Sequence, residues 1–333
     1  TKQALPGYTG FTEIMTNMGT LRNYGFEMEV RANILNNPKG LTWDVTANLS
    51  SVANKIVKLP YNGNPNNRVG GYEVATGRKK ADGTDETKWI AGRQEGGKLG
   101  ELVAYKQNHI FKDWDDVKKY ANNRIDEVAN LYGPGLAAQY AGKEGWQPIE
   151  PGDVCWEDIN GDGVINGYDR QVVGNIFPKV TGGFSTTLGY KNLSLYARFD
   201  YALGHTIYND LAARSLGQYQ GSFNIIKEVK KTWSETNTDT DLPAFYYADQ
   251  LSKKNITRSN NGLTAIDNNS SRFYEKGDYL ALRELTLNYN LPKTWISKVG
   301  MTDASVYVTG QNLFYITGYT GVSPEPAVDT TYG

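Results

Sequence analysis

A period of two governs this chain. Apolar and polar residues alternate through six stretches, and such parity belongs to β-strands that present one greasy face and one polar face. In 25–35 the apolar set is Phe26, Met28, Val30, Ala32 and Ile34, against Glu27, Glu29, Arg31 and Asn33. In 41–50, Leu41, Trp43, Val45, Ala47 and Leu49 alternate with Thr42, Asp44, Thr46, Asn48 and Ser50. Residues 184–190 repeat the pattern. In 193–203, Leu193, Leu195, Ala197, Phe199, Tyr201 and Leu203 oppose Ser194, Tyr196, Arg198, Asp200 and Ala202. Leu285, Leu287, Tyr289 and Leu291 alternate with Glu284, Thr286, Asn288 and Asn290, and Val306 and Val308 with Ser305, Tyr307 and Thr309. The longer runs are about ten residues, enough for a tilted strand to cross a bilayer.

Short connections join these strands in pairs: 36–40 (NNPKG), Lys191-Asn192, and 292–303. Between the hairpins lie two long segments, 57–180 and 205–275. Short turns at one end and long loops at the other are the layout of an outer-membrane barrel, with both long segments on one side of the membrane. Polar faces that carry Glu27, Glu29, Arg31, Arg198 and Asp200 need a wet interior. Six strands cannot enclose one, so the pattern predicts a piece of a wider barrel. The same faces also suit the solvent side of a soluble sandwich, and period alone does not separate the two.

Composition allows a barrel and excludes much else. No run approaches 18 apolar residues, so no helix is expected to span a membrane, while alternating strands escape such a search. The net charge of −1 argues against nucleic acid as a partner. The 23 Tyr, 7 Trp and 36 Gly suit aromatic girdles and tight turns. A lone cysteine, Cys155, rules out an internal disulfide and reads as a small buried hydrophobe. Two histidines, His109 and His205, are too few for most zinc sites. The opening TKQALPGYTGFTE shows no signal peptide and reads as the interior of a longer protein.

The long segments have structure of their own. Asp113 is placed to cap a helix with Val117, Ala121, Ile125 and Val128 along one stripe, and Asp115 and Asp116 in its first turn. A second helix is expected from Ser222 to about Trp233, with Ile225, Ile226, Val229 and Trp233 inward. Residues 158–169, DINGDGVINGYD, place oxygen donors at loop positions one, three and five: Asp158, Asn160 and Asp162. Gly163 permits the sharp turn, Val164 offers its carbonyl, Asn166 can hold a water, and Asp169 closes the ring. Hard oxygens with three carboxylates suit calcium. Pro148 and Pro151 before the loop and Gly174 after it exclude long flanking helices, so the ion is expected to be a structural staple rather than a sensor. The rival reading is an Asx-turn loop without metal.

Catalytic signatures are missing: there is no phosphate loop, GxSxG elbow or HExxH. The pair Asp115/Asp116 mimics a glycosidase dyad only as chance does among 36 acidic residues. Trp114, Trp146, Trp156, Tyr219, Tyr246 and Tyr247 are aromatics that could stack on a ligand, though loop packing is the plainer role.

Taken in order, several runs resemble one family. SSRFYEKGDYLALRELTLNYNLP (270–292), VYVTGQNLFYITGYTGVSPE (306–325), the calcium-like loop followed by NIFPKVTGGFSTTLGYKNLSLYARFDYALG, and Trp233-Ser234-Glu235 leading to Leu242-Pro243 are similar to the late barrel of SusC/RagA-type TonB-linked outer-membrane transporters. The resemblance spans most of 20–325. It implies an all-β fold: part of an antiparallel transmembrane barrel of about 22 strands with long extracellular loops. Residues 1–333 would be its C-terminal part, and the plug, the TonB box and the last strand would lie outside this chain. It further implies a non-enzymatic importer of oligosaccharides or peptides in the outer membrane of a Gram-negative bacterium. A SusD-like lipoprotein would cap it, and the TonB complex would drive it. The soluble alternative is a secreted β-sandwich that binds glycans and carries a structural calcium loop.

Overall fold

The alternation becomes a six-stranded antiparallel meander. In this computed structural model, residues 2–4, 7–10, 12–15, 19–37, 39–120, 151–163, 167–217, 226–244 and 270–325 are described. Strands β1 (Thr20–Asn36), β2 (Leu41–Lys58), β3 (Val180–Tyr190), β4 (Leu193–Leu203), β5 (Tyr279–Asn290) and β6 (Ser305–Thr317) lie side by side in chain order. Lys191 takes φ +54° in the two-residue turn between β3 and β4, the left-handed conformation that matches a tight turn to the twist of its strands. At the β1–β2 turn the Asn37 carbonyl accepts from the Gly40 amide at 2.9 Å.

Register stacks the apolar set into rows across the sheet. Leu41, Tyr190, Leu193, Tyr289 and Val306 form the row nearest the short turns. Trp43, Leu188, Leu195, Leu287 and Val308 come next, then Val45, Thr186, Ala197, Leu285 and Gly310. Ala47, Phe184, Phe199, Leu282 and Phe314 make the fourth row, and Leu49, Gly182, Tyr201, Leu280 and Ile316 the fifth. Five rows two residues apart run about 27 Å along the strands. At a tilt of about 40° they cover about 20 Å of membrane depth.

Among the described residues nothing packs over much of this face: Leu287 is 47% exposed, Val308 73% and Phe314 48%. Such a continuous apolar patch is foreign to a water-facing sheet. Its polar atoms are satisfied sideways. The Trp43 indole N–H donates to Thr186 Oγ1 at 2.9 Å, and the Tyr201 hydroxyl crosses Gly182 to donate to the Asn48 carbonyl at 3.0 Å. Phe184 and Phe199 stack with centroids 4.6 Å apart. The opposite face carries Asp44, Thr46, Asn48, Ser50, Tyr196, Arg198, Asp200, Glu284 and Thr286.

Contacts divide the chain into two units. Most of the sheet lies in Arg22–Asn54, Ile176–Thr206 and Lys276–Gly333, and the other unit is Thr1–Leu21, Lys55–Asn175 and Ile207–Glu275. This second unit holds most of the two long segments and is built largely from strands. Tyr72–Lys79 pairs with Asp85–Ile90, Glu101–Tyr105 with Arg170–Asn175, and Gln107–Ile110 with Val154–Trp156. Tyr105, Ile110, Val154 and Trp156 form its buried cluster, with Trp233 packed against it. Cys155 is buried beside them, as expected of a small hydrophobe.

The helix expectations meet mixed outcomes. Trp114–Tyr120 is helical, and Asp113 Oδ1 accepts from the Asp116 amide at 2.9 Å as its cap. Ala121, Ile125 and Val128 lie outside the described residues. The second helix is corrected. Over its described part, 226–233, a 3-10 turn forms at Lys227–Lys231, and its N-cap Ile226 is extended and supplies no side-chain cap, while Ser222 and Ile225 lie outside the described residues. Trp233 is fixed instead by its amide, which donates to the Leu242 carbonyl at 2.9 Å, and its indole N–H, which donates to the Lys112 carbonyl at 3.2 Å. A helix that the pattern does not announce, Asp210–Gly217, is capped by Asn209 Oδ1 from the Ala212 amide at 3.0 Å.

Candidate functional site

Two places carry chemistry: the loop 158–169 and the polar face of the sheet. The loop runs between two strands, Val154–Trp156 and Arg170–Asn175, rather than between helices, with a 3-10 turn at Gly167–Asp169. Gly161 and Gly163 take φ +71° and +82°, the left-handed turns that let the chain fold around its own side chains. The Asp158 carboxylate accepts from the amides of Gly161 at 2.8 Å and Gly163 at 2.9 Å. The Asn160 amide donates to Asp162 Oδ2 at 2.9 Å, and the buried Asp169 accepts from the Ile159 amide at 2.8 Å. Asp158, Asn160, Asp162 and Asp169 therefore belong to one folded loop. Val164 and Asn166 lie outside the described residues.

Asp85, a residue that sequence spacing does not find, joins the loop from the hairpin. Its Oδ2 accepts from the Asn160 amide at 3.1 Å. The Lys79 ammonium, 2.5 Å from Oδ1, and the Asn160 bond hold its carboxyl below the ordinary aspartate value. Among the described residues no three His, Cys, Asp or Glu side chains converge as a metal cluster. The loop is held here by Asx-type hydrogen bonds, while its donors remain the all-oxygen set that calcium takes.

The aromatics and the carboxylate pair sort themselves by burial. Trp114 is 51% exposed, Trp156 is buried in the loop core, and Trp146, Tyr219, Tyr246 and Tyr247 lie outside the described residues. Asp116 Oδ2 is 3.0 Å from His109 Nε2 and accepts from the Lys112 amide at 3.1 Å, whereas Asp115 points to solvent beside Lys118. Asp115 and Asp116 thus turn to different partners and do not pair as a glycosidase dyad.

On the polar face the strand ladder breaks at β5. Pairing passes from Arg198–Glu284 to Phe199–Leu282 on one side of β5, and from Glu284–Gln311 to Leu282–Phe314 on the other. Arg283 is the extra residue of β5, and its guanidinium bonds to Asp200, Asn312, Tyr315 and Glu325. Alternation counted upward from Leu291 ends at Glu284, and that stop was the only signal of the bulge in the sequence.

No family model matches the chain. Curated relatives cover almost all of it. The TonB-dependent receptor P3 of Formosa agariphila is 28% identical over 321 residues, 96% of this chain and 27% of that protein. The TonB-dependent receptor SusC of Bacteroides thetaiotaomicron is 25% identical over 324 residues, again 96% of this chain and 26% of that protein. Over almost all of its length this chain is similar to part of the TonB-dependent receptors, SusC among them. A solved structure of the RagAB peptide transporter shares the fold, with a TM-score of 0.60 at 20% identity over 96% of this chain and 28% of that one. The six strands thus share the fold of part of a large antiparallel transmembrane barrel. The chain spans about a quarter of the length of the TonB-dependent receptors that it matches.

Proposed function

We propose that the chain is the C-terminal barrel portion, residues 1–333, of an outer-membrane importer that takes oligosaccharides or peptides into a Gram-negative cell. The observation that carries this reading is the exposed apolar face of β1–β6. A sheet greasy on one side and charged on the other, with short turns at one end and long segments at the other, fits a wall between lipid and a wet lumen. A SusD-like lipoprotein caps the long-segment side, and the TonB complex acts through the plug-bearing part of the whole protein. The chain supplies passage and docking rather than catalysis. The alternative, a secreted sandwich, needs a second sheet over the rows from Leu41 to Ile316, and their exposure weighs against it.

The loop 158–169 is proposed as a structural calcium site on Asp158, Asn160, Asp162, Asp169 and the Val164 carbonyl. An ion there exchanges Asx-type bonds for coordination and stiffens the segment that docks the lid. The experiment is fractionation and affinity capture of the tagged full-length receptor from its native envelope. The expected result is recovery in the outer membrane, in detergent, with a surface lipoprotein bound. Recovery in the soluble secreted fraction overturns the importer reading.

A further inference from the structure

The bulge at Arg283 does more than shift register. A bulge sets two successive residues on one face, so Arg283 and Glu284 both look toward the polar side. The Arg283 side chain is only 16% exposed. Its Nε donates to Asp200 Oδ2 at 3.0 Å, and Nη1 donates to the Tyr315 hydroxyl at 3.2 Å and Asn312 Oδ1 at 3.3 Å. Asn312 sits in β6's own bulge with φ +49°. The fourth partner, Glu325, is not on the sheet at all, yet it accepts from Nη2.

Glu325 arrives there because the chain turns back after β6. Thr317 Oγ1 donates to the Asp278 carbonyl at 2.8 Å and accepts from the Tyr319 amide at 3.0 Å, which starts the reversal. Eight residues past Thr317 the chain is back over β5. A second contact holds it: His205 Nε2 donates to the Pro324 carbonyl at 3.1 Å. A carbonyl only accepts, so the proton is on Nε2, and Nδ1 has no partner among the described residues. The ring is 1% exposed, and Gly277 lies so close that a Cβ there would sit 2.2 Å from Nε2. Ala281, two residues before Arg283 on the strand, pairs with Asp200 and Tyr315 on the polar face and is also only 1% exposed.

We infer that Arg283 is a positioning residue that clamps residues 318–325 as a strap over the polar face at the long-segment end of the sheet. Resting on the importer reading, this strap is a fixed narrowing of the passage at its mouth. The chemistry explains the choice of residue. One guanidinium fork serves two carboxylates, an amide and a phenol at once, which an ammonium cannot do. Without the cation, Asp200 and Glu325 face each other on a half-enclosed surface and repel.

The test is thiol accessibility at Ala281→Cys, in the full-length receptor with Cys155→Ser, reconstituted in lipid vesicles and treated with a bulky maleimide. Labelling is expected to be slow with Arg283 and Glu325 intact. It should become several-fold faster in Arg283→Met and in Glu325→Gln, and Arg283→Lys should label like Arg283→Met. Glu325→Gln leaves Arg283 paired with Asp200, so it decides the matter if Arg283→Met does not insert. Unchanged labelling in a variant that still migrates as a folded barrel overturns the clamp. The readout needs no transport: a receptor that imports nothing yet shows the acceleration sinks the importer reading and leaves the clamp standing.

Discussion

Replacing Leu285 by arginine tests whether the greasy face meets lipid. Leu285 lies in the middle of the five outward rows, with two rows on either side. Those two rows correspond to four residues, about 13 Å along the strand. At a tilt of about 40° that is about 10 Å of depth, so Tyr289, in the row nearest the short turns, sits near the interface. Arginine on a barrel's lipid face costs about 2–4 kcal/mol at mid-depth and about 0–1 kcal/mol near the interface. The difference expected between Leu285→Arg and Tyr289→Arg is then about 2–3 kcal/mol, roughly 30- to 150-fold in the folding equilibrium. Thr286→Arg, one residue away on the polar face, is the control and should fall within about 1 kcal/mol of the parent, because lumenal charge is hydrated. The assay is a urea titration of the full-length receptor in lipid vesicles, read by the mobility of unheated samples on a gel. Equal costs at Leu285 and Tyr289 refute the reasoning, since a protein-packed face has no depth profile. A Leu285→Arg cost under about 0.5 kcal/mol would put that face in water instead.

Three further outcomes follow from the geometry. Calcium should protect 157–170 from proteolysis in the parent and fail to do so in Asp158→Ala, and terbium luminescence excited through the nearby aromatics should be lost in the same variant; protection indifferent to chelator contradicts a metal staple. Burial holds the Tyr105 and Tyr274 phenols up to about 12, so the stability they give is whole below pH 10 and disappears as pH rises from 10 through 12. A melting series across that window should show the loss, and Tyr105→Phe should reduce its pH dependence to the share that Tyr274 carries. Gly182→Ala should lower the folded yield in vesicles, because a Cβ there lies 2.2 Å from the Asn48 carbonyl oxygen and 2.5 Å from the Tyr201 hydroxyl; an undiminished yield means that the β2–β3 contact is looser than described.

Period two told most about the sheet. The faces of 41–50, 193–203 and 284–290 read from the sequence are the faces found, since each strand is long and greasy on one side only. Position along the strands was harder. The extra residue at Arg283 leaves both flanking patterns intact and merely changes their phase, so nothing but the end of the alternation marks it. Within the long segments the signal was weaker still. Ile226, Val229 and Trp233 read as a helical stripe, but the backbone bonds of Trp233 go to Leu242, across a reversal that no local pattern encodes. Asp158, Asn160, Asp162 and Asp169 were found together because a turning loop fixes its own spacing. Asp85 was not, because it comes from another hairpin 75 residues away from Asn160.

The bulge has a further consequence for how this wall tolerates change. Deleting Arg283 would not simply shorten β5. It would restore simple alternation through the strand, leaving Glu284 inward and Leu282 and Leu280 outward while removing the guanidinium from the polar face. A single-residue change of length at that point is therefore absorbed by the bulge, and the wall keeps its inside and its outside.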